Sequence, residues 1–123
     1  MGMRRNIKLE YGTNTIETNE SIHPHSIYFY THWDALNMPQ KLQSALIRGK
    51  ARWNDESYLA RIIFSDLIKG EEMDLLGYGI ATYEMDQNYP TIAVNLPSNM
   101  VDNIPFHKFI EMNVEHYNEN IEE

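Results

Sequence analysis

The chain contains no cysteine. That excludes a disulfide framework and a thiolate metal site, and it suits a reducing intracellular setting. Long apolar runs are missing as well. None approaches the roughly eighteen residues that span a bilayer, and MGMRRNIKLEYG carries two arginines with no apolar segment of signal-peptide length behind them. The expectation is a soluble, cytoplasmic protein that makes no membrane contact. Positive charge is scarce, with ten Lys and Arg against eighteen Asp and Glu, for a net charge of −8. Duplex nucleic acid is therefore excluded as a partner, because such binding needs many cations neutralising successive phosphates. A small phosphate ligand stays open: two or three cations in a partly dehydrated pocket outweigh acidic groups that salt screens beyond about 8–10 Å.

What is there fits one domain over residues 1–123 with a single core. NIKLEY at 6–11 alternates Ile7, Leu9 and Tyr11 against Lys8 and Glu10, the period of a half-buried strand. Gly12 and Asn14 supply a turn, and TIET at 15–18 can return as the second strand of a hairpin. SIYFYTHW at 26–33 is aromatic and β-branched enough to predict a strand buried on both faces. From Asn37 to Gly49, Pro39 stands in the first turn and Leu42, Ala45 and Leu46 share one helical face. A second helix opens at Asn54, carries Asp55 and Glu56 where carboxylates suit the helix dipole, and closes at Lys69-Gly70. Its stripe is Leu59, Ile62, Ile63 and Leu67.

GYGIATYEM at 77–85 and TIAVNL at 91–96, around Asp86 and Asn88, have the pattern of a hairpin, with Pro90 outside the ladder. From Pro105 onward Phe106, Phe109, Ile110, Val114, Tyr117 and Ile121 predict a terminal amphipathic helix. Strands and helices are segregated. The fold class expected is α+β: an antiparallel β-sheet, two central helices and a C-terminal amphipathic helix.

Catalytic and metal motifs are few. His23, His25 and His32 lack the spacing that sets two imidazoles on one helical face, which leaves His25 and His32 as ligand contacts at most. No serine sits in a G-x-S-x-G elbow, and the abundant carboxylates belong to solvated faces. GYG at 77–79 is not a phosphate loop; two glycines around a tyrosine in a strand mark a bulge or a close backbone approach.

The unusual segment is IRGKARWNDESYLARIIF at 47–64. With Lys41 it holds Arg48, Lys50, Arg52 and Arg61, five of the ten cations in the chain. In one reading they solubilise helix ends, with Arg48 and Lys50 complementing a helix C-terminus. In the other, guanidinium forks bind phosphate while aromatic rings stack on a base. The segment divides into a helix end, a tight connection and a new helix, so the charges form a compact corner beside Trp53 rather than a polyanion stripe.

The ordered series YFYTHW, ALIRGKARW, YLARIIF, GYGIATY and TIAVNL, spanning 26–97, resembles the Thoeris anti-defence sponges of the first type, a family of small phage and bacterial proteins. The resemblance implies a protein that binds a cyclic ADP-ribose signal made by a bacterial TIR enzyme and holds it uncleaved, with no cofactor and no catalytic residue. It also implies a homo-oligomer, a dimer or larger up to a hexamer, with ligand pockets where subunits meet. Some members capture cyclic oligonucleotides in separate pockets. The residues assigned to the ligand are Arg48, Arg52 and Arg61 for phosphate, Tyr83 and Trp53 for stacking, and Asn95 for a hydrogen bond to ribose or base. Trp53 has a second reading as a staple of the following helix to the core. Two other classes stand beside the sponge: a protein-binding inhibitor of a host enzyme acting through the acidic C-terminal face, and a cyclic-nucleotide or ADP-ribose hydrolase.

Overall fold

Strand β1 (Arg5–Tyr11) is an interior strand because its alternation gives the sheet an apolar face, with Ile7 and Leu9 almost wholly buried. The structure, a computed structural model, describes residues 3–12 and 25–118. β2 (His25–Thr31) pairs with β1 antiparallel, from Arg5 opposite Thr31 to Tyr11 opposite His25. β3 (Tyr78–Ala81) lies antiparallel on the outer side of β2. On the other side of β1 runs β4 (Ile92–Asn95), parallel, with Ile7 opposite Ile92. β5 (Met100–Val101) and β6 (Ile104–Pro105) complete the order β3-β2-β1-β4-β5-β6. Asp102 and Asn103, at φ 49° and 70°, make the left-handed turn between them, a conformation short polar side chains tolerate.

The class is α+β, and the sheet departs from expectation in two ways. The sheet is mixed rather than antiparallel throughout, since β1 and β4 run parallel. GYGIATYEM and TIAVNL form no hairpin: β2 and β1 lie between their strands. The connection passes the end of the sheet instead, where the backbone N–H groups of Asn88 and Tyr89 both donate to the Arg4 carbonyl, at 3.0 and 3.3 Å. The strand expected at 15–18 lies outside the described residues. Burial in β2 is concentrated at Phe29, Tyr30 and Thr31, whereas Trp33 beyond it is 47% exposed.

Helices α1 (Met38–Arg48) and α2 (Glu56–Leu67) bury the predicted stripes: Leu42, Ala45 and Leu46 from one, Leu59, Ile62, Ile63 and Leu67 from the other. They approach closely at Gly49, where a Cβ would lie 3.0 Å from the Ala45 carbonyl oxygen and 3.2 Å from both Ile62 and Leu59. Phe64 reaches the sheet at Phe29, ring centroids 4.8 Å apart. No helix among the described residues is long and apolar enough to cross a membrane.

The terminal helix is interrupted. α3 (Phe106–Phe109) is a single turn, and a 3₁₀ stretch follows at Val114–Asn118. Between them the Gln43 amide donates to the carbonyls of Phe109 and Met112, at 2.9 and 2.7 Å, and the Glu115 N–H donates to Asn113 Oδ1 at 2.9 Å. Those groups are taken from a continuing helical ladder. The stripe is nonetheless real, because Phe106, Phe109 and Val114 are buried. Arg5, 1% exposed, ties this tail to the sheet by donating to the carbonyls of Pro90 and Tyr117 and to Asn118 Oδ1, at 2.8, 2.9 and 2.9 Å. Burial lowers its pKa from the ordinary guanidinium value to about 10.

Candidate functional site

The edge of the sheet at β2 and β3 collects aromatic rings. As the chain leaves β2, the Thr31 hydroxyl accepts from the N–H of Asp34 at 3.0 Å and bends it sharply. That bend turns His32 and Trp33 outward. The Tyr30 hydroxyl meets His32 Nδ1 at 2.9 Å, and Trp33 stands edge-on to both His32 and Tyr78. The indole rests over Gly77, where the expected close backbone approach is found: a Cβ would fall 2.2 Å from the ring. The Tyr78 hydroxyl donates to Asp34 at 3.1 Å, and the same carboxylate pairs with Lys41. Burial, then Asp34, pushes the Tyr78 phenol well above its usual range.

Tyr30, His32, Trp33, Tyr78 and the exposed Leu75 and Leu76 bound a cleft of about 320 Å³. A second cavity of about 350 Å³ adjoins it, sharing Tyr30 and Met85 and lined further by Arg4, Tyr83, Glu84 and Asp86. Asn6 holds this loop in place from within the sheet. Completely buried, it donates to the Met85 carbonyl at 2.9 Å and to Gln87 Oε1 at 2.8 Å, and accepts from the Met85 N–H at 3.2 Å. Each cavity has the size of a small-molecule site. Their chemistry suits a nucleotide-like ligand: rings to stack on a base, Glu84 and Asp86 to accept from ribose hydroxyls, and Arg4 for a phosphate.

No family model, curated protein or solved structure matches this chain.

Of the six residues assigned from sequence, only Tyr83, 61% exposed, lines these cavities. Arg48 closes α1 onto α2, its Nε and a terminal nitrogen donating to Asp66 Oδ1 at 3.0 and 2.6 Å. It also borders a groove of about 470 Å³ with Lys41, Ser44 and Lys69. Arg52 pairs loosely with Asp55 at 3.7 Å and lies 5.3 Å over the Tyr58 ring. Arg61 is exposed on α2 and makes no ion pair among the described residues. Trp53 takes its second reading: the indole N–H donates to the Leu46 carbonyl at 2.9 Å, and the ring meets Phe106 edge-on at 5.1 Å. Asn95 does lie on the face away from the core, yet its side chain donates to Glu10 at 3.2 Å and accepts from the Ser98 N–H at 3.0 Å, shaping the turn after β4.

Sequence reasoning passed over Arg4, Glu84 and Asp86 as site residues. Their signal was weak, because the site is assembled by a connection that carries no motif and is fixed by one buried amide.

Proposed function

We propose that the protein is a sponge: it binds a cyclic ADP-ribose-type immune signal in the bacterial cytoplasm and holds it intact, keeping it from its effector. The observation that carries this reading is the pair of adjoining cavities sharing Tyr30, whose linings offer stacking rings, ribose acceptors and a guanidinium. The series of segments that resembles the Thoeris sponges supports the same ligand class. Tight capture needs preorganised rings and charges but neither nucleophile nor base, and two stacking contacts contribute roughly 1–3 kcal/mol each.

The test is release. The chain is mixed with cyclic ADP-ribose or its glycosidic isomers in equimolar amounts, separated from free ligand, then heat-denatured. Unchanged ligand is expected in the supernatant, in proportion to protein. Recovery of a cleaved product, or turnover by catalytic amounts of protein, would overturn the sponge in favour of a hydrolase.

A further inference from the structure

The two glycines of GYG stand in unlike surroundings. The Trp33 indole occupies the space beside Gly77, whereas a Cβ at Gly79 would meet nothing within 4 Å. Neither packing nor a left-handed backbone calls for glycine at Gly79, and a glycine inside a strand weakens it. The register shows where the open space lies. Asn6, Tyr30 and Gly79 are directly opposite one another across β1, β2 and β3, and so share one face of the sheet. It is the face away from the helices, because the neighbouring Phe29 packs on Phe64 of α2. The loop at Met85 covers Asn6, but no described residue covers Gly79. A cross-strand aromatic ring can shield an edge glycine. Tyr30 does not, since its ring would then lie within 4 Å of that Cβ.

Gly79 lines the cleft of about 320 Å³, and no Asp, Glu, Lys or Arg lines it. Most of the polar groups around it are already engaged. The Tyr78 hydroxyl donates to Asp34, and the Trp33 indole N–H faces Glu71 at 3.4 Å. The Tyr30 hydroxyl meets His32 Nδ1 at 2.9 Å and has no other acceptor among the described residues, so it donates there, and the neutral imidazole carries its proton on Nε2. That N–H has no partner among the described residues. The backbone holds the ring at the cleft, with the His32 N–H donating to the Gly77 carbonyl at 2.8 Å.

We infer that His32 selects the base of the ligand: a purine ring lies over the bare backbone at Gly79 and accepts a hydrogen bond at one ring nitrogen from His32 Nε2–H. The adjoining cavity holds Arg4, so the nucleotide is oriented with its base in the uncharged cleft and its phosphate beside the guanidinium. This rests on reading the paired cavities as a nucleotide site, and it adds how the base is told apart from a ring of the same shape that lacks the acceptor. A site built around one unpaired donor rejects such an analogue, because the donor is then left without a partner.

The experiment uses the full chain, with folding of each variant checked by thermal melts. AMP and its 1-deaza, 3-deaza and 7-deaza analogues, each with one ring nitrogen replaced by C–H, are titrated at millimolar concentrations in a calorimeter. One analogue should bind the parent chain about fivefold or more weaker than AMP, the usual effect of one hydrogen bond. His32→Phe, which keeps a ring and loses the donor, should bind AMP about fivefold weaker and treat that analogue and AMP alike. Gly79→Leu, with a side chain entering the cleft, should lose AMP binding while its melting temperature holds. Nitrogen shifts of the His32 ring near pH 8 should show the proton on Nε2. Equal affinity of the parent for all four nucleotides, discrimination that survives in His32→Phe, parent-like binding by Gly79→Leu, or a proton on Nδ1 would each overturn the inference. If His32→Phe misfolds, His32→Ala replaces it at the same exposed position and is read the same way. Cyclic ADP-ribose is titrated alongside. Binding of that ligand without the AMP pattern leaves the sponge and removes the subsite; the AMP pattern without it leaves the subsite and removes the sponge; no binding of either removes both.

Discussion

The indole of Trp33 occupies the space that a side chain on Gly77 would need: a Cβ there would stand 2.2 Å from the ring. Gly77 also sits at φ +104°, outside the range that other residues adopt comfortably, while its carbonyl accepts from the His32 N–H at 2.8 Å. Gly77→Ala should therefore displace the indole and cost about 2 kcal/mol or more. Urea unfolding reads the cost, and tryptophan emission reads the displaced ring. Gly79→Ala is the control: nothing lies within 4 Å of a Cβ there, so stability should hold within about 0.5 kcal/mol.

Asn6 acts on the site from the opposite side of the cavity wall. Asn6→Ala strands the carbonyl and N–H of Met85, which the buried amide now satisfies, while Gln87 Oε1 keeps its bond from the backbone N–H of residue 6. A loss of about 2–3 kcal/mol is expected, because each orphaned buried group carries its own desolvation cost. Ligand affinity should fall as well, since the loop bearing Tyr83 and Glu84 loses its anchor. Equal denaturant midpoints for variant and parent would show that the loop is held by other means.

Tyr83 and Trp53 were assigned the same stacking role from sequence, and substitution separates them. Tyr83→Ala should leave stability within about 0.5 kcal/mol and weaken ligand binding by roughly 1–3 kcal/mol, about five- to a hundredfold in Kd. Trp53→Ala removes a ring packed on Phe106 and bonded to Leu46, and should cost on the order of 3 kcal/mol in stability, with binding unchanged in the fraction that stays folded. Paired calorimetry and thermal melts distinguish the two, and a stable Trp53→Ala protein that fails to bind would return Trp53 to the site.

Asp102 predicts the pH dependence. Burial is the main influence holding its carboxyl above the usual range, against the opposing pull of its bond from Ala93 and of Arg5. A carboxyl whose folded pKa is raised contributes stability below its unfolded pKa and loses that contribution as pH rises through the folded value. Asp102→Asn retains an acceptor for the Ala93 N–H and suits the left-handed turn at φ 49°. The variant should thus gain on the parent chain as pH rises from about 3 to 7. Denaturant midpoints across that range check it, and a difference that stays flat rejects it.

The helices were legible because an amphipathic stripe and its burial are the same fact seen twice, as at Leu42, Ala45 and Leu46. Strand partners were not. Alternation marks TIAVNL as a strand but does not name its neighbour, and the chosen one, β1, lies eighty-five residues away in parallel register. The tail shows a different failure: its apolar period is satisfied by α3 and the 3₁₀ stretch together, while Gln43, distant in sequence, decides where the helix stops. The site was hardest to see. Arginines drew attention in an acidic chain, yet Arg48 serves a helix junction, and the cavities depend on Asn6, an amide with no periodic or motif signature.

The parallel seat of β1 between β2 and β4 also sets a schedule for synthesis. Ile7 faces Phe29 on one side and Ile92 on the other. A ribosome extending the chain at roughly 5–20 residues per second delivers the first partner within a few seconds and the second only after several more. During that wait an interior strand is an open one, its apolar face uncovered and its free edge available to any neighbouring nascent chain. Completion of the sheet is therefore a late, long-range event, and a chain released before β4 emerges carries an exposed strand edge into the cell.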